Sequence, residues 1–203
     1  MTFISSINDE IDDKPKEACG VFGLIAPGED VARVAFFGLY ALQHRGQESC
    51  GIATFDNNNN IHIHKEIGLV SQAFDETVLA KLKGDIVVGH TRYSTTGSNN
   101  ICNAQPIIAS YNDYGIALAH NGNLVNATSL RDSLIKRGYS FESTTDSEVM
   151  AKLVIYEMAK IDKEKNQINL KEAVVNAFRQ CKGAFSVSIA TKDQLVAVRD
   201  PDG

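Results

Sequence analysis

The apolar run Gly20-Val21-Phe22-Gly23-Leu24-Ile25 reads as a buried strand, and Pro27-Gly28 punctuates it. Val31, Val34, Ala35, Gly38, Leu39 and Leu42 then recur at helical spacing, so a helix is predicted that stops near His44-Arg45-Gly46. Ser49 to Phe55 reads as a second strand. Asp56 and the four asparagines after it have turn composition, and the strict alternation of Ile61-His62-Ile63-His64 closes a hairpin. Asp75 is placed to cap a short helix through Leu82, and Asp85 to His90 is the most strand-like run in the centre. Tyr93 to Gln105 is polar. Pro106 to Ser110 and Gly115 to His120 form another strand pair around an Asn112-Asp113 turn.

Beyond that pair, Asn126 is placed to cap a helix carrying Leu130, Leu134 and Ile135 and ending at Gly138. Asp146 is placed to cap the next helix, through Val149, Leu153, Val154 and Met158. Lys160 to Asn169 reads as a charged connector. Leu170 to Cys181 is helical by the spacing of Val174, Ala177 and Phe178, and Ala184 to Ile189 returns to strand. Antiparallel strand pairs with a helix pair between them predict an α+β fold in which helices cover sheets. The strand, G-x-G-x-x-G, helix order of a dinucleotide fold is missing. Arg199 to Gly203 is a turn signal at the edge of a strand, from which the chain is expected to be part of a longer protein.

Composition narrows the function classes. The chain has 203 residues and a net charge of -5, with no tryptophan and no basic stripe interleaved with aromatics, which argues against a nucleic-acid partner. No apolar run approaches the ~18 residues of a membrane span. Cysteines at 19, 50, 102 and 181 are too sparse for a disulfide scaffold and lack C-x-x-C spacing, which suits a reducing cytoplasm. Residues 1–18 hold Asp9, Glu10, Asp12 and Asp13 and no apolar core, unlike a secretory or mitochondrial leader. A processed pro-segment remains as the expectation.

Cleavage after Ala18 would give Cys19 both a thiol and a free α-amine, a nucleophile and a base in one residue. An amide nitrogen cannot take up a proton at neutral pH, whereas an α-amine of pKa ~8 can. The plainer alternative is a small buried hydrophobe at a strand start. Three polar clusters favour the nucleophile: Gly89 to Gly97 and His120 to Leu124 leave strands, and Thr144 to Glu148 enters a helix. Arg92 offers a guanidinium fork for a carboxylate or, alternatively, one half of an internal ion pair. Asp146 offers the opposite charge for an α-ammonium group or a plain helix cap. Together they describe a clamp for a zwitterionic amino acid, presenting its side-chain carbonyl to the thiol.

Asn121 and Gly122 supply a side-chain amide and an unhindered backbone N–H suited to an oxyanion, against the rival reading of Asn-Gly as a hairpin turn. The capped helix expected a few residues later weakens that rival. His44 and Arg45 suit a helix C-terminus as well as a pocket. His62 and His64 share a strand face, but no third ligand stands at metal spacing. His90 and His120 are read as holding backbone, and Cys50, Cys102 and Cys181 as packing.

These residues resemble the class II, or N-terminal nucleophile, glutamine amidotransferases, and within them the amidophosphoribosyltransferase branch. The resemblance is carried by KEACGVFG at 16–23, LYALQHRGQESCGI at 39–52, GHTRYSTTG at 89–97, NAQP at 103–106, HNGNLVN at 120–126, TTDSEV at 144–149 and RDPDG at 199–203. Ala18 stands where an acidic residue is frequent, and Cys50 where alanine is usual. The resemblance implies a propeptide over 1–18 and an amidotransferase domain over 19–203 with a four-layer αββα sandwich. It also implies Cys19 as nucleophile, Asn121 and Gly122 as oxyanion hole, and Arg92 with Asp146 binding glutamine. A phosphoribosyltransferase domain beyond the chain would bind phosphoribosyl pyrophosphate with Mg2+. The full-length protein would be a homo-oligomer, and some members carry a 4Fe-4S cluster. Two other readings stay open on the residues alone: the glutaminase half of a hexosamine-phosphate or asparagine synthetase, and a non-catalytic glutamine-binding domain whose leader is retained.

Overall fold

The computed structural model describes residues 19–93 and 100–201. The leader, Ser94 to Gly97 of the first polar cluster, and Asp202-Gly203 lie outside the described residues. Strands β1 (Gly20–Ile25), β2 (Ser49–Phe55), β3 (Ile61–Ile67) and β4 (Ile86–Arg92) form one antiparallel sheet in the order β1-β4-β2-β3. Strands β5 (Ile107–Tyr111), β6 (Tyr114–Leu124), β7 (Gly183–Ala190) and β8 (Leu195–Arg199) form a second in sequential order, also antiparallel. Helix α1 (Val31–Ala41) and the short helices α2 (Val70–Ala73) and α3 (Glu76–Leu79) cover the first sheet, which carries Cys19 at its edge. Helices α4 (Ala127–Lys136), α5 (Asp146–Lys165) and α6 (Leu170–Phe178) belong with the second. The layers are helix, sheet, sheet, helix.

Three cores follow from strand alternation. Val31, Ala35 and Leu39 of α1 pack on Cys50, Ile52 and Val87, the outward side of the first sheet. Ile116, Leu118, Val187 and Ile189 do the same beneath Met150, Val154, Met158 and Val174. The opposite sides of the two sheets meet through Ala53, Phe55, Ile86 and Val88 against Ala117, Ala119 and Ala190. Each fully buried Leu, Ile or Met side chain contributes about 1.5–3 kcal/mol relative to exposure, so the two helix-facing cores dominate stability.

Most predicted elements form, with physical reasons for the differences. Helix α5 continues through Lys165 into the expected connector because Ile161, one turn past Met158, is buried on the same face. It ends at Asn166, whose φ of 51° is left-handed. The cap of α5 is Thr145, whose hydroxyl accepts from Glu148 N, so Asp146 is the first residue of the helix and its carboxylate is free for other work. Asn126 sits at the N-cap of α4 without capping it through its side chain, which instead bonds Gln180 O and Lys182 N. Asp75 does cap α3, accepting from Val78 N at 2.7 Å, although that helix stops at Leu79.

Candidate active site

Cys19 immediately precedes β1, and alternation from Val21, which faces the second sheet, turns it toward the space between the sheets. Two bonds fix its backbone neighbourhood: Gly20 N donates to Thr91 Oγ1 at 3.2 Å, and Arg45 Nε donates to the Cys19 carbonyl at 3.3 Å. The segment after α1 thereby braces the start of β1, and Glu48 N, donating to Arg92 O at 3.1 Å, braces the end of β4. His44 stands apart, exposed, with Nδ1 on Ala41 O. The Cys19 sulfur lies between the backbone groups of Tyr93, at 3.5 Å from N and 3.6 Å from O. Burial pushes this thiol up; the Tyr93 backbone bond and the Arg92 charge oppose that only in part. A thiol held up in this way needs a base to become a nucleophile.

Cys19, Arg92, Gly122 and Asp146 line one cavity of about 260 Å3. Arg92 leaves the end of β4 only 8% exposed, and its Nη1 is buried with no hydrogen-bond partner among the described residues. A buried guanidinium left short of partners is costly, so the geometry favours an anion from beyond the described residues. Asp146 Oδ2 accepts from Leu124 N at 2.9 Å, while Oδ1 lies 3.5 Å from His120 Nδ1. Burial raises the Asp146 carboxyl, but His120 and the backbone N–H groups of Leu124 and Ser147 outweigh it and leave it below its ordinary value. The cavity therefore presents a cation and an anion beside one thiol.

Asn121 and Gly122 lie inside β6, opposite Ser186 and Phe185 of β7, and not in a hairpin turn. Gly122 has φ +137°, and a Cβ there would sit 2.1 Å from Ala184 O, so only glycine fits. Asn121 is half-buried on the inter-sheet side shared with Ala117 and Ala119 and is not among the residues lining the cavity. The remaining walls come from members of the three polar clusters, Tyr93, His120, Asn123, Thr144, Thr145 and Ser147, and from Gln105 and Ala127, which lie outside those clusters. For Gln105 the motif text NAQP was the available signal. His90 is fully buried, and burial pushes its ring down to about 3, which makes it a poor proton acceptor.

The other candidates stay outside this site. His62 meets Asp56 at 3.2 Å and His64 meets Glu66 at 3.3 Å; among the described residues no group of three or more His, Cys, Asp or Glu is disposed to hold a metal. Cys50 packs under α1, and burial pushes its thiol and that of Cys181 up to about 12. Cys102 contacts Asn103 Oδ1 at 3.6 Å. No described helix is long and apolar enough to cross a membrane.

Residues 90–203 match the glutamine amidotransferase domain family. The chain is 50% identical over 94% of its length to an amidophosphoribosyltransferase of Synechococcus elongatus and 45% identical over 91% to one of Methanocaldococcus jannaschii. It spans 37% and 38% of those two relatives. Among solved structures, glutamine phosphoribosylpyrophosphate amidotransferase from B. subtilis superposes with a TM-score of 0.77 at 37% identity, covering 90% of this chain and 37% of that one. With a thiol at the start of an edge strand and opposed charges across a small cavity on this shared fold, the chain belongs to the glutamine amidotransferase domain family, in its class II, N-terminal nucleophile form.

Proposed function

We propose that residues 1–18 are removed and that Cys19, then N-terminal, hydrolyses glutamine. The α-amine takes the thiol proton as sulfur attacks the γ-amide carbon. The oxyanion rests on the Asn121 amide and the Gly122 N–H, ammonia leaves carrying a proton, and water cleaves the γ-glutamyl thioester to glutamate. Arg92 holds the substrate α-carboxylate and Asp146 its α-ammonium group. Support comes from the raised thiol, which calls for a local base, and from the cavity, which is smaller than the ~300–1,000 Å3 of drug-sized ligand sites and suits one amino acid.

In the complete protein, the reading carries the released ammonia to phosphoribosyl pyrophosphate, bound with Mg2+ by residues beyond this chain, to give 5-phosphoribosylamine for purine synthesis. Its relatives favour this acceptor over a hexosamine phosphate or aspartate. A cytoplasmic homo-oligomer completes the proposal, and any 4Fe-4S cluster would lie outside these residues.

One observation carries the reading: Arg92, buried and short of partners, in the same cavity as a thiol and a carboxylate. Arg92→Ala should lower kcat/KM for glutamine by roughly 100-fold or more, mostly through KM, since it removes a charge-assisted pair. Steady-state glutaminase kinetics decide, and unchanged efficiency with glutamine removes the clamp.

A further inference from the structure

Asn103-Ala104-Gln105 is buried throughout, and each residue is tied to a different part of the molecule. Asn103 Oδ1 accepts from Thr144 N at 3.1 Å, beside the entry to α5. The Ala104 carbonyl accepts from Lys65 Nζ of β3 at 2.8 Å. Gln105 reaches β6.

The register explains that last contact. Ile107 stands opposite Leu118 and Ile108 opposite Ala117, so the same pairing extended by two residues sets position 105 opposite His120. The backbone ladder has ended there, and the Gln105 side chain replaces it: Oε1 accepts from His120 N at 2.6 Å and Nε2 donates to His120 O at 3.2 Å. One primary amide thus satisfies both backbone groups of a buried residue, as a neighbouring strand would.

The same peptide is also tied to the other sheet. His90 of β4 points its Nε2 at His120 O, 3.0 Å away. A carbonyl only accepts, so the ring carries its proton on Nε2. Gln105 crosses as well, because its own carbonyl sits 2.2 Å from where a Cβ on Gly51 of β2 would be. His120 directly precedes Asn121 and Gly122, while Cys19 belongs to the opposite sheet. The apolar packing between the sheets, Ala53, Phe55, Ile86 and Val88 against Ala117, Ala119 and Ala190, is non-directional, so the bonds to His120 are what fix the position of its peptide.

We propose that Gln105 is a positioning residue for glutamine hydrolysis: with His90 behind it, its side-chain amide holds the His120 peptide so that Asn121 and Gly122 stay in register with the Cys19 sulfur across the two sheets. The inference rests on the hydrolytic reading above. Displacement of donors by even ~1 Å can cost ~100-fold in rate.

Gln105→Met in the intact protein keeps side-chain length and removes both bonds. Glutaminase kcat should fall about 10- to 100-fold while KM stays within about threefold. Alkylation of Cys19 by iodoacetamide, a displacement at a tetrahedral carbon that uses no oxyanion donor, should stay within about twofold of wild type. If kcat per alkylatable Cys19 is unchanged, Gln105 is merely structural and the inference is overturned. A parallel loss of alkylation also overturns it, since the thiol itself has then moved. Should the Met variant fail to fold, Gln105→Glu decides: it keeps the acceptor for His120 N–H, loses the donor, and should lower kcat about fivefold or more at wild-type alkylation rate. Unchanged kcat there overturns the proposal as well. A wild-type protein that alkylates normally yet releases no ammonia from glutamine defeats the hydrolytic reading, and this inference with it.

Discussion

The layer between helices and second sheet and the layer between the two sheets are built on different principles. Beneath α5 and α6 the buried side chains are large and apolar, Ile116, Leu118, Met150, Met158 and Ile189 among them, with the Cys181 thiol packed at the margin. Between the sheets the second sheet offers Ala117, Ala119 and Ala190 to Ala53, Phe55, Ile86 and Val88 of the first, and toward the site the filling gives way to buried His90, Arg92 and Gln105. His90 and Gln105 meet the His120 peptide, while the His120 ring turns to Ser147 of α5. Stability is concentrated where shape alone matters. Register is specified where directional bonds join named atoms, because a buried polar network holds one arrangement only when its members find partners. Damage to the first layer should therefore cost folding, and damage to the second should cost chemistry.

The largest separation of the two should come from Asn121→Ala. It removes a proposed oxyanion donor in the inter-sheet layer and should lower kcat by ~100- to 1,000-fold with little change in urea midpoint. Kinetics and unfolding on the same sample check this, and an unchanged rate dismisses Asn121 from the oxyanion hole. Met158→Ala should do the reverse. A fully buried methionine truncated to alanine costs about 2–5 kcal/mol of unfolding free energy, while kcat of the folded protein should stay near wild type. A large loss of kcat in folded protein would break the proposed division of labour.

A smaller effect is a pH dependence. His90 has its ring pushed from 6.5 to about 3, so between those values the unfolded chain binds a proton that the folded chain refuses. Stability from this group is fully present above pH 6.5 and falls as pH drops, by about 2 kcal/mol at pH 5. Burial is the largest cause; the bond to the His120 carbonyl opposes it, while the His120 and Arg92 charges act with it. His90→Gln removes the titration and should shrink the difference in unfolding free energy between pH 7 and pH 5 by about that amount. An undiminished difference would assign the pH dependence elsewhere.

The strands and helices were legible in the sequence, and much of what joins the two sheets was not. Runs such as Gly20–Ile25 and Ser49–Phe55 give their strands directly, and the helical spacing of Val31 to Leu42 gives α1, because burial of one face imposes a period. The charged stretch after Lys160 concealed the end of α5, since a single buried residue, Ile161, is enough to continue a helix already packed. Asn126 takes the N-cap position without the side-chain bond, and Asp146 falls one residue inside its helix, because both side chains form longer-range bonds, to Lys182 and Leu124, that compete with capping. Polar clusters at strand ends and a helix start brought Cys19, Arg92, Gly122 and Asp146 to one cavity. Gln105 was visible only as motif text. Its bond to His120 spans 15 residues and replaces a strand pairing, which no local period encodes.

The central claim is that one residue supplies both sulfur and base. Treating active protein with a glutamine-like electrophile and mapping the adduct by mass spectrometry tests it most directly. The account predicts a single adduct on Cys19 at the N-terminus of a chain that has lost residues 1–18. Label on Cys50, Cys102 or Cys181, or full activity in protein whose first eighteen residues are still attached, would contradict it.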